Sequence, residues 1–375
     1  MSPQPAMNAP ATLLSTLLLL GSQAEGGQEP EARPAARVER RVAAMGTLLA
    51  LEVEARDRAT ALAASESALR AVEAVERRLS TWGQDSELAR LNRAPLYVPH
   101  PLGGELRADL ERALHWWRAT DGAFDPGVGG LVDAWGLRVG GRLPSSAELL
   151  AARAASGLRH LRLDGSAATR LHPGLRIEEG GFGKGVGLDA ALAALAAAGA
   201  SAATLDLGGQ IALLPREARA HLAVAHPRER GRALVEIAIE RGSLATSGNG
   251  ERGVVVAGER LGHLLDPRDG RPAPDFGSLT VWAPNATDAD CLSTGLYVLG
   301  PDAALSWASA HEGVEVLVVE LLAGGQRARA SAGLRGRARA LEASTTLDFL
   351  SPIPPADEPE ERNERDERDG ERAFK

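Results

Sequence analysis

The sequence predicts an α+β fold, and two observations carry that prediction. Helix-like and strand-like stretches mix along the 375 residues without the strict strand–helix–strand rhythm of a parallel sheet. The stretch His221–Leu265 consists of short alternating runs broken by Gly and Pro, which is typical of antiparallel strands. We find no internal repeat. The length allows one large hydrophobic core or two modest ones.

Periodicity and capping residues place the elements of the first half of the chain. A strand is predicted where apolar residues alternate, and helices where apolar residues recur on one face. The second helix also begins with the cap-like pair Asp85-Ser86. In order, these elements are a strand at Thr47–Val53, helices at Asp57–Leu79, Asp85–Asn92, Leu102–Thr120 and Ser145–Ala155, and strands at His160–Leu163, Thr169–His172 and Leu175–Ile177. Between them, Gly122–Gly136 is a loop too rich in Gly, acidic and aromatic residues to be a plain linker.

A glycine-dense stretch follows the last of these strands. Its turn spans Gly180–Gly187, and an Ala/Leu helix is predicted from Leu188 to Ala198. Glycines allow positive φ and close approach to a ligand, and a helix start behind such a turn favours phosphate. Lys184 is the only lysine before the C-terminal residue, so a compact ammonium is expected to act there. The spacing matches neither a P-loop nor a dinucleotide motif, and a connection that binds no ligand is the alternative.

Further strands and helices are predicted in the second half of the chain. The expected elements are strands at Ala203–Asp206, Ile211–Leu214, Ser278–Ala283 and Val314–Leu321, and helices at Asp288–Leu299 and Pro301–Ala310. The last ordered run ends near Leu350, and residues 351–375 are almost wholly Glu, Arg and Asp after their prolines. We therefore expect a solvated, disordered tail there.

Composition and the N-terminus narrow the classes of function. The net charge is −8 and no basic stretch is interleaved with aromatic residues, so nucleic acid is not an expected partner. The lone Cys291 excludes an intramolecular disulfide framework and a cysteine metal cluster. Leu13–Gly21 is apolar but too short to span a bilayer, as in the core of a secretory signal. Since no Lys or Arg precedes it, a disordered leader is the alternative.

We thus interpret residues 1–37 as a signal peptide or N-terminal anchor with a flexible linker, and residues 38–350 as the folded part. The protein is then expected to be exported, and to be periplasmic or associated with the inner membrane.

Several polar residues could carry chemistry. Asp290 and Thr294 stand four apart on a predicted helix, so their oxygens leave one face, and such hard oxygens suit Mg²⁺. The alternative is an acid favoured by the helix dipole and a merely exposed threonine. His263 ends a strand and is a candidate base, although histidines there are more often structural. Thr246–Asn249 is read as a polar turn that holds phosphate, or as a hairpin.

Together these stretches resemble the FAD:protein FMN transferases, the ApbE flavin transferase family. The resemblance runs from about Ala44 to Val319. It rests on eight motifs in order: Met45–Thr47, Ser80–Asn92, Gly122–Gly136, Gly180–Asp189, Leu205–Gln210, Ser243–Arg252, His263–Gly270 and Asp288–Gly300. It implies a T-fold-like α+β domain of mixed or antiparallel sheets flanked by helices. It also implies Mg²⁺-dependent transfer of the FMN half of FAD to a Ser or Thr hydroxyl of an acceptor flavoprotein, such as an electron-transport subunit, with release of AMP.

The resemblance also implies roles for particular residues. Those expected to line the FAD site are Met45, Trp82, Ala123, Phe124, Asp125, Glu178, Lys184 and His263. The metal would be held by Asp290, Thr294 and the backbone carbonyl of Gly181. His263 would accept the proton of the acceptor hydroxyl, Lys184 would neutralise phosphoryl oxygens, and the isoalloxazine would stack on Trp82 or Phe124.

The chain departs from the family pattern at four positions. Glu178 replaces an Asp, Asp269 a Thr, Gly250 an aromatic residue and Cys291 an Ala. These changes bear on substrate affinity more than on the chemistry. Two other functions remain open: an FAD pyrophosphatase, in which water replaces the protein hydroxyl, and a flavin-binding protein without catalysis.

Overall fold

The structure, a computed structural model, describes residues 36–250, 253–256 and 258–351. The apolar run Leu13–Gly21 and the charged tail therefore lie outside the described residues. The described part is α+β, as predicted. Its helices are α1 Arg58–Leu79, α2 Glu87–Arg93, α3 Gly104–Ala119, α4 Gly129–Ala134, α5 Ser146–Ala155, α6 Gly183–Ala197, α7 Ala286–Leu299 and α8 Pro301–Ser309.

The strands in chain order are β1 Ala36–Ala44, β2 Thr47–Ala55, β3 His100–Pro101, β4 Leu161–Asp164, β5 Ala167–Arg170, β6 Ala200–Leu207, β7 Gln210–Leu214, β8 Ala220–Ala225, β9 Ala233–Ile239, β10 Gly242–Gly248, β11 Gly253–Val256, β12 Glu259–Gly262, β13 Gly277–Ala283, β14 Glu315–Leu322, β15 Gly325–Ala330, β16 Ala338–Ala340 and β17 Thr345–Phe349. Short 3₁₀ turns occupy Leu158–His160, Glu179–Gly181 and Ala332–Leu334.

A nine-stranded mixed sheet organises the fold. Its order is β1-β2-β6-β7-β10-β13-β14-β15-β17, and every neighbouring pair is antiparallel except β15 and β17. Two three-stranded sheets, β16-β9-β8 and β3-β5-β4, and the hairpin β11-β12 complete the described strands. The antiparallel strands predicted over His221–Leu265 are thus confirmed, although three different sheets share them.

Helices cover the sheet and bury its apolar residues. Val72 of α1, Leu188 and Leu195 of α6, and Leu205 of β6 are each at most 1% exposed and belong to one cluster of core side chains. A second cluster joins α3 and α7 to β13 and β14, with Leu292 and Leu296 fully buried. The helices α6 and α7 pack side by side between these two clusters, and they carry three of the candidate residues, Lys184, Asp290 and Thr294.

Local sequence signals explain several helix ends. Asp57, Ser86 and Ser145 each accept a backbone hydrogen bond at the start of α1, α2 and α5, and at α2 this confirms the predicted cap. Ser145 and Glu148 form a reciprocal capping box. Asp121 and Gly122 both take positive φ after α3, which ends that helix as predicted.

Four local predictions are wrong. Helix α6 begins at Gly183, so Lys184 lies in its first turn, and none of the glycines from 180 to 187 has positive φ. Leu175–Ile177 is not a strand, because only an isolated bridge between Val128 and Arg176 forms there. The supposed loop after Gly122 contains α4. Thr246–Gly248 forms the end of β10 rather than a turn.

Candidate functional site

The glycines of α6 serve helix packing. A Cβ on Gly185 would lie 2.5 Å from the Cα of Thr287, so only glycine lets the start of α6 meet the start of α7. The Asp189 carboxylate fastens the same contact, because it accepts hydrogen bonds from the backbone N–H of Ala286 at 2.7 Å and of Thr287 at 2.9 Å. Burial raises the pKa of Asp189, while these hydrogen bonds lower it. The first turns of the two helices are therefore held in one register.

That register joins Lys184 to Asp290. The lysine Nζ lies 2.9 Å from Asp290 Oδ1, and the other carboxylate oxygen accepts the backbone N–H of Gly185 at 3.0 Å. The Asp290 side chain is only 3% exposed, whereas that of Lys184 is 28% exposed. The suggestion that Asp290 is merely a surface acid near a helix start is therefore wrong. Gln210 supports the lysine, since its Oε1 lies 3.5 Å from Nζ and its Nε2 donates to the Ala286 carbonyl at 2.7 Å.

Thr294 extends this polar group by one turn of α7. A Cβ on Gly181 would lie 3.6 Å from Thr294 Oγ1, so the glycine backbone and the hydroxyl are neighbours. Asp290, Thr294 and the Gly181 carbonyl supply hard oxygen donors of the kind that Mg²⁺ prefers. A carboxylate has about four lone-pair sites, so Asp290 retains acceptor capacity beside its two protein hydrogen bonds. The donor set fits Mg²⁺. Among the described residues, no group of three His, Cys, Asp or Glu side chains is placed to hold a metal.

Two cavities meet at this group. The larger, of 560 Å³, is lined mainly by apolar and aromatic residues that include Trp82, Val132 and Leu265. The smaller, of 170 Å³, is lined by Lys184, Asp290 and a set of glycines and hydroxyl side chains. Gly180, His263, Leu264 and Thr294 line both. His263 therefore stands at the wall that the two cavities share.

The guanidinium of Arg138 connects several residues at the mouth of the larger cavity. Arg138 donates to the carboxylate of Glu178 and, at 2.6 Å, to Thr81 Oγ1. Its Cζ also lies 4.8 Å from the centre of the Trp82 ring, which is within cation–π range. Burial raises the pKa of Glu178, and the charge of Arg138 opposes that shift. Nothing in the sequence singled out Arg138.

The loop after α3 lies behind the larger cavity. Phe124 is 1% exposed and packs against Gly181 and Gly295, so its ring belongs to the core. Trp82, at 76% exposure, is the aromatic residue of the two that offers an open face. Ala123 is also buried, and Asp125 accepts the backbone N–H of Gly127 at 2.8 Å. Burial raises the pKa of Asp125 to about 6, against the lowering effect of its backbone hydrogen bonds.

Met45 stands apart from the other candidates. It occupies the turn between β1 and β2 with φ of 50°, and its Sδ would lie 2.9 Å from a Cβ on Gly187. It packs on the glycine face of α6 and is not among the residues that line the two cavities. The remaining candidates, Trp82, Ala123, Phe124, Asp125, Glu178, Gly181, Lys184, His263, Asp290 and Thr294, all line one or both.

Within the part of the chain that the structure describes, we find no helix with the length and apolarity needed to cross a membrane.

Comparison with known proteins gives one consistent result. Residues 45–318 match the model of the ApbE family. The chain is 32% identical to an FAD:protein FMN transferase of Vibrio cholerae serotype O1 over 259 residues, which is 67% of this chain and 77% of the relative. It is 31% identical to the FAD:protein FMN transferase of Salmonella typhimurium over 300 residues, or 77% of this chain and 85% of the relative.

Solved structures agree with the sequence relatives. The flavin transferase ApbE from Vibrio cholerae superposes with a TM-score of 0.69 at 28% identity, covering 81% of this chain and all of the other. The ApbE protein from Thermotoga maritima gives a TM-score of 0.74 at 28% identity, with the same coverage.

Proposed function

The chain belongs to the ApbE family, and from that membership we propose that it transfers the FMN half of FAD to another flavoprotein. The acceptor group is a Ser or Thr hydroxyl, and the other product is AMP. The observation that carries the proposal is a group of four residues, in which His263 and Thr294 line both cavities while Lys184 and Asp290 line the smaller one. It supplies a cation, oxygen ligands and a base around one point.

The larger cavity suits part of FAD. Pockets for small molecules usually measure about 300–1,000 Å³ and combine apolar walls with a few polar groups. A cavity of 560 Å³ with Trp82 at its mouth and Glu178 in its wall has this character. We propose that a flavin or purine ring of FAD stacks near Trp82 and that the phosphates reach Lys184.

The reaction requires one bond to form and one to break. The acceptor oxygen attacks the phosphorus of the FMN half, and the bond from that phosphorus to the oxygen of the AMP phosphate breaks. His263 would take the hydroxyl proton, and its position in the lining of both cavities supports this role. Lys184 balances the charge on the phosphoryl oxygens, and Gln210 and Asp290 orient its ammonium group.

Mg²⁺ is part of the proposal. Asp290, Thr294 and the Gly181 carbonyl would hold it, and when bound it would neutralise charge on the phosphoryl oxygens. We further propose that the protein is exported, on the ground of the apolar run Leu13–Gly21 and the small residues after it. Fractionation of cells that express the full chain would test this, and recovery in the cytoplasmic fraction alone would contradict it.

Product analysis tests the transferase against the two other functions. The purified protein is incubated with FAD and Mg²⁺, with and without the apo form of a flavoprotein that carries FMN on threonine. We expect AMP together with flavin fluorescence on the denatured acceptor, and neither after chelation by EDTA. The control acceptor has its target threonine changed to alanine. Free FMN with AMP and no labelled acceptor would indicate a pyrophosphatase, and absence of AMP would indicate a flavin-binding protein without catalysis.

A further inference from the structure

The smaller cavity has a character different from that of the larger one. Its 170 Å³ lies below the usual size of a small-molecule pocket, and neither Trp nor Phe is among its lining residues. One side of it is formed by Lys184 and Asp290. The other walls are the ends of β8, β10 and β13 and the turn between β6 and β7, where glycines and hydroxyl side chains are frequent. Such walls suit a short polar side chain and the backbone that carries it.

One hydroxyl in this wall lacks a protein partner. Ser278 is 5% exposed, and its Oγ is buried without a hydrogen bond to any described residue. In the pairing of β10 with β13, Ser278 lies opposite Gly248 and Thr280 lies opposite Thr246. Side chains two apart on a strand share a face, so Ser278 lies on the face that carries Thr246, another lining residue. A buried hydroxyl without a partner costs free energy, and a bound ligand would relieve that cost.

The in-line geometry of phosphoryl transfer gives the two cavities different roles, an inference that rests on the proposed function. In phosphoryl transfer the attacking and leaving oxygens stand roughly in line on opposite sides of the phosphorus. With the phosphorus at the wall shared by Gly180, His263 and Thr294, the two oxygens point toward different cavities. The aromatic, larger cavity suits the nucleotide, which leaves the smaller cavity for the attacking group.

We propose that the smaller cavity is the subsite for the acceptor protein's Ser or Thr and the backbone beside it. Ser278 Oγ would hydrogen-bond to that segment, and His263 would take the proton of the attacking hydroxyl. The narrow space selects acceptors whose residues next to the target hydroxyl are small. The rings of FAD would bind in the larger cavity, and its phosphates would enter the smaller one only beside Lys184 and Asp290. Changes at the β8 and β13 walls of the smaller cavity therefore alter acceptor recognition and leave FAD binding unchanged.

Two pairs of variants test the subsite. Ala225→Leu fills the cavity at the end of β8, and its control is Ala233→Leu, which changes the alanine paired with it on β9 but outside the cavity lining. Ser278→Ala removes the buried hydroxyl with little change of shape. Its control is Ser156→Ala, which removes another buried hydroxyl without a partner among the described residues, outside both cavity linings.

For each variant, the Kd for FAD and the KM for the apo threonine-flavinylated acceptor are measured separately. We expect Ala225→Leu to raise the acceptor KM at least tenfold and Ser278→Ala to raise it about two- to tenfold, the worth of one hydrogen bond. Both should keep the FAD Kd within about twofold, a change of about 0.4 kcal/mol. Both controls should leave the two constants unchanged.

Other results count against the subsite in distinct ways. A weaker FAD affinity with an unchanged acceptor KM would assign the smaller cavity to FAD and overturn the inference. Unchanged constants in a correctly folded Ser278→Ala protein would overturn it as well. A wild-type protein that releases AMP but never labels the acceptor would instead refute the proposed function, and the inference with it.

Discussion

Removal of the Asp290 carboxylate should destabilise the protein as well as inactivate it. Asp290 is 2% exposed, and Asp290→Ala leaves the backbone N–H of Gly185 buried without its acceptor at a cost of about 1–3 kcal/mol. Loss of one partner of a fully buried ion pair costs about 3–5 kcal/mol. Since 28% of the Lys184 side chain is exposed and can be solvated, we take about 1–2 kcal/mol for this pair. The expected loss is therefore about 2–5 kcal/mol.

Urea unfolding at neutral pH, followed by circular dichroism, measures this loss. The conservative Asp290→Asn variant keeps one oxygen acceptor and should lose less, about 1.5–3 kcal/mol, the scale of one hydrogen bond to a charged group. Asp302→Ala is the control, because that carboxylate on α8 is 90% exposed and its ion pair with Arg329 should contribute at most about 1 kcal/mol. An Asp290→Ala protein as stable as this control would refute the reasoning from burial.

The same variants separate folding from chemistry. Asp290→Asn should remain folded yet release AMP more slowly by orders of magnitude, with partial recovery at high Mg²⁺ concentration because a metal ligand has been weakened. An Asp290→Asn protein that keeps its activity and ignores EDTA would remove Asp290 from the metal site.

Three further predictions concern other parts of the site. His263→Ala should bind FAD normally but lose about 10²–10⁴ in saturated transfer rate, partly recovered at high pH, whereas poor FAD affinity with normal transfer would exclude the base role. Gly185→Ala should lower the free energy of unfolding by urea by about 1–3 kcal/mol, because the new Cβ lies 2.5 Å from the Cα of Thr287. This overpacking outweighs the gain in helix propensity. Unchanged stability would show that the two helices separate easily. The raised pKa of Asp125, about 6 against an ordinary 3.8, means that the folded state favours the neutral acid, so its contribution to stability is lost as the pH rises from about 4 to 6. Relative to wild type, Asp125→Asn should therefore gain about 3 kcal/mol in unfolding free energy between pH 3 and pH 7, and a pH-independent difference would contradict the shift.

Much of the secondary structure is local and can be predicted from the sequence. Asp57, Ser86 and Ser145 cap their helices through backbone groups three residues away, so the information lies within one turn. The glycine-dense stretch Gly180–Gly187 is wrongly predicted as a turn because its structure depends on a distant part of the chain. Glycine is compatible with a turn or with close helix packing, and only the neighbouring α7 decides that Gly185 belongs to a helix.

For the candidate site too, the sequence indicates the residue types, and only the structure shows which of them are in contact. The residue types of Lys184, Asp290, Thr294 and His263, and the motifs around them, are sufficient by themselves to indicate the family and its chemistry. Lys184 and Asp290 are 106 positions apart, however, and their 2.9 Å contact exists because α6 and α7 pack together. The contacts of Arg138 with Thr81 and Glu178, and the buried hydroxyl of Ser278, likewise have no signal in the sequence. Composition and spacing determine which groups are available, whereas the packing of distant segments decides which of them meet.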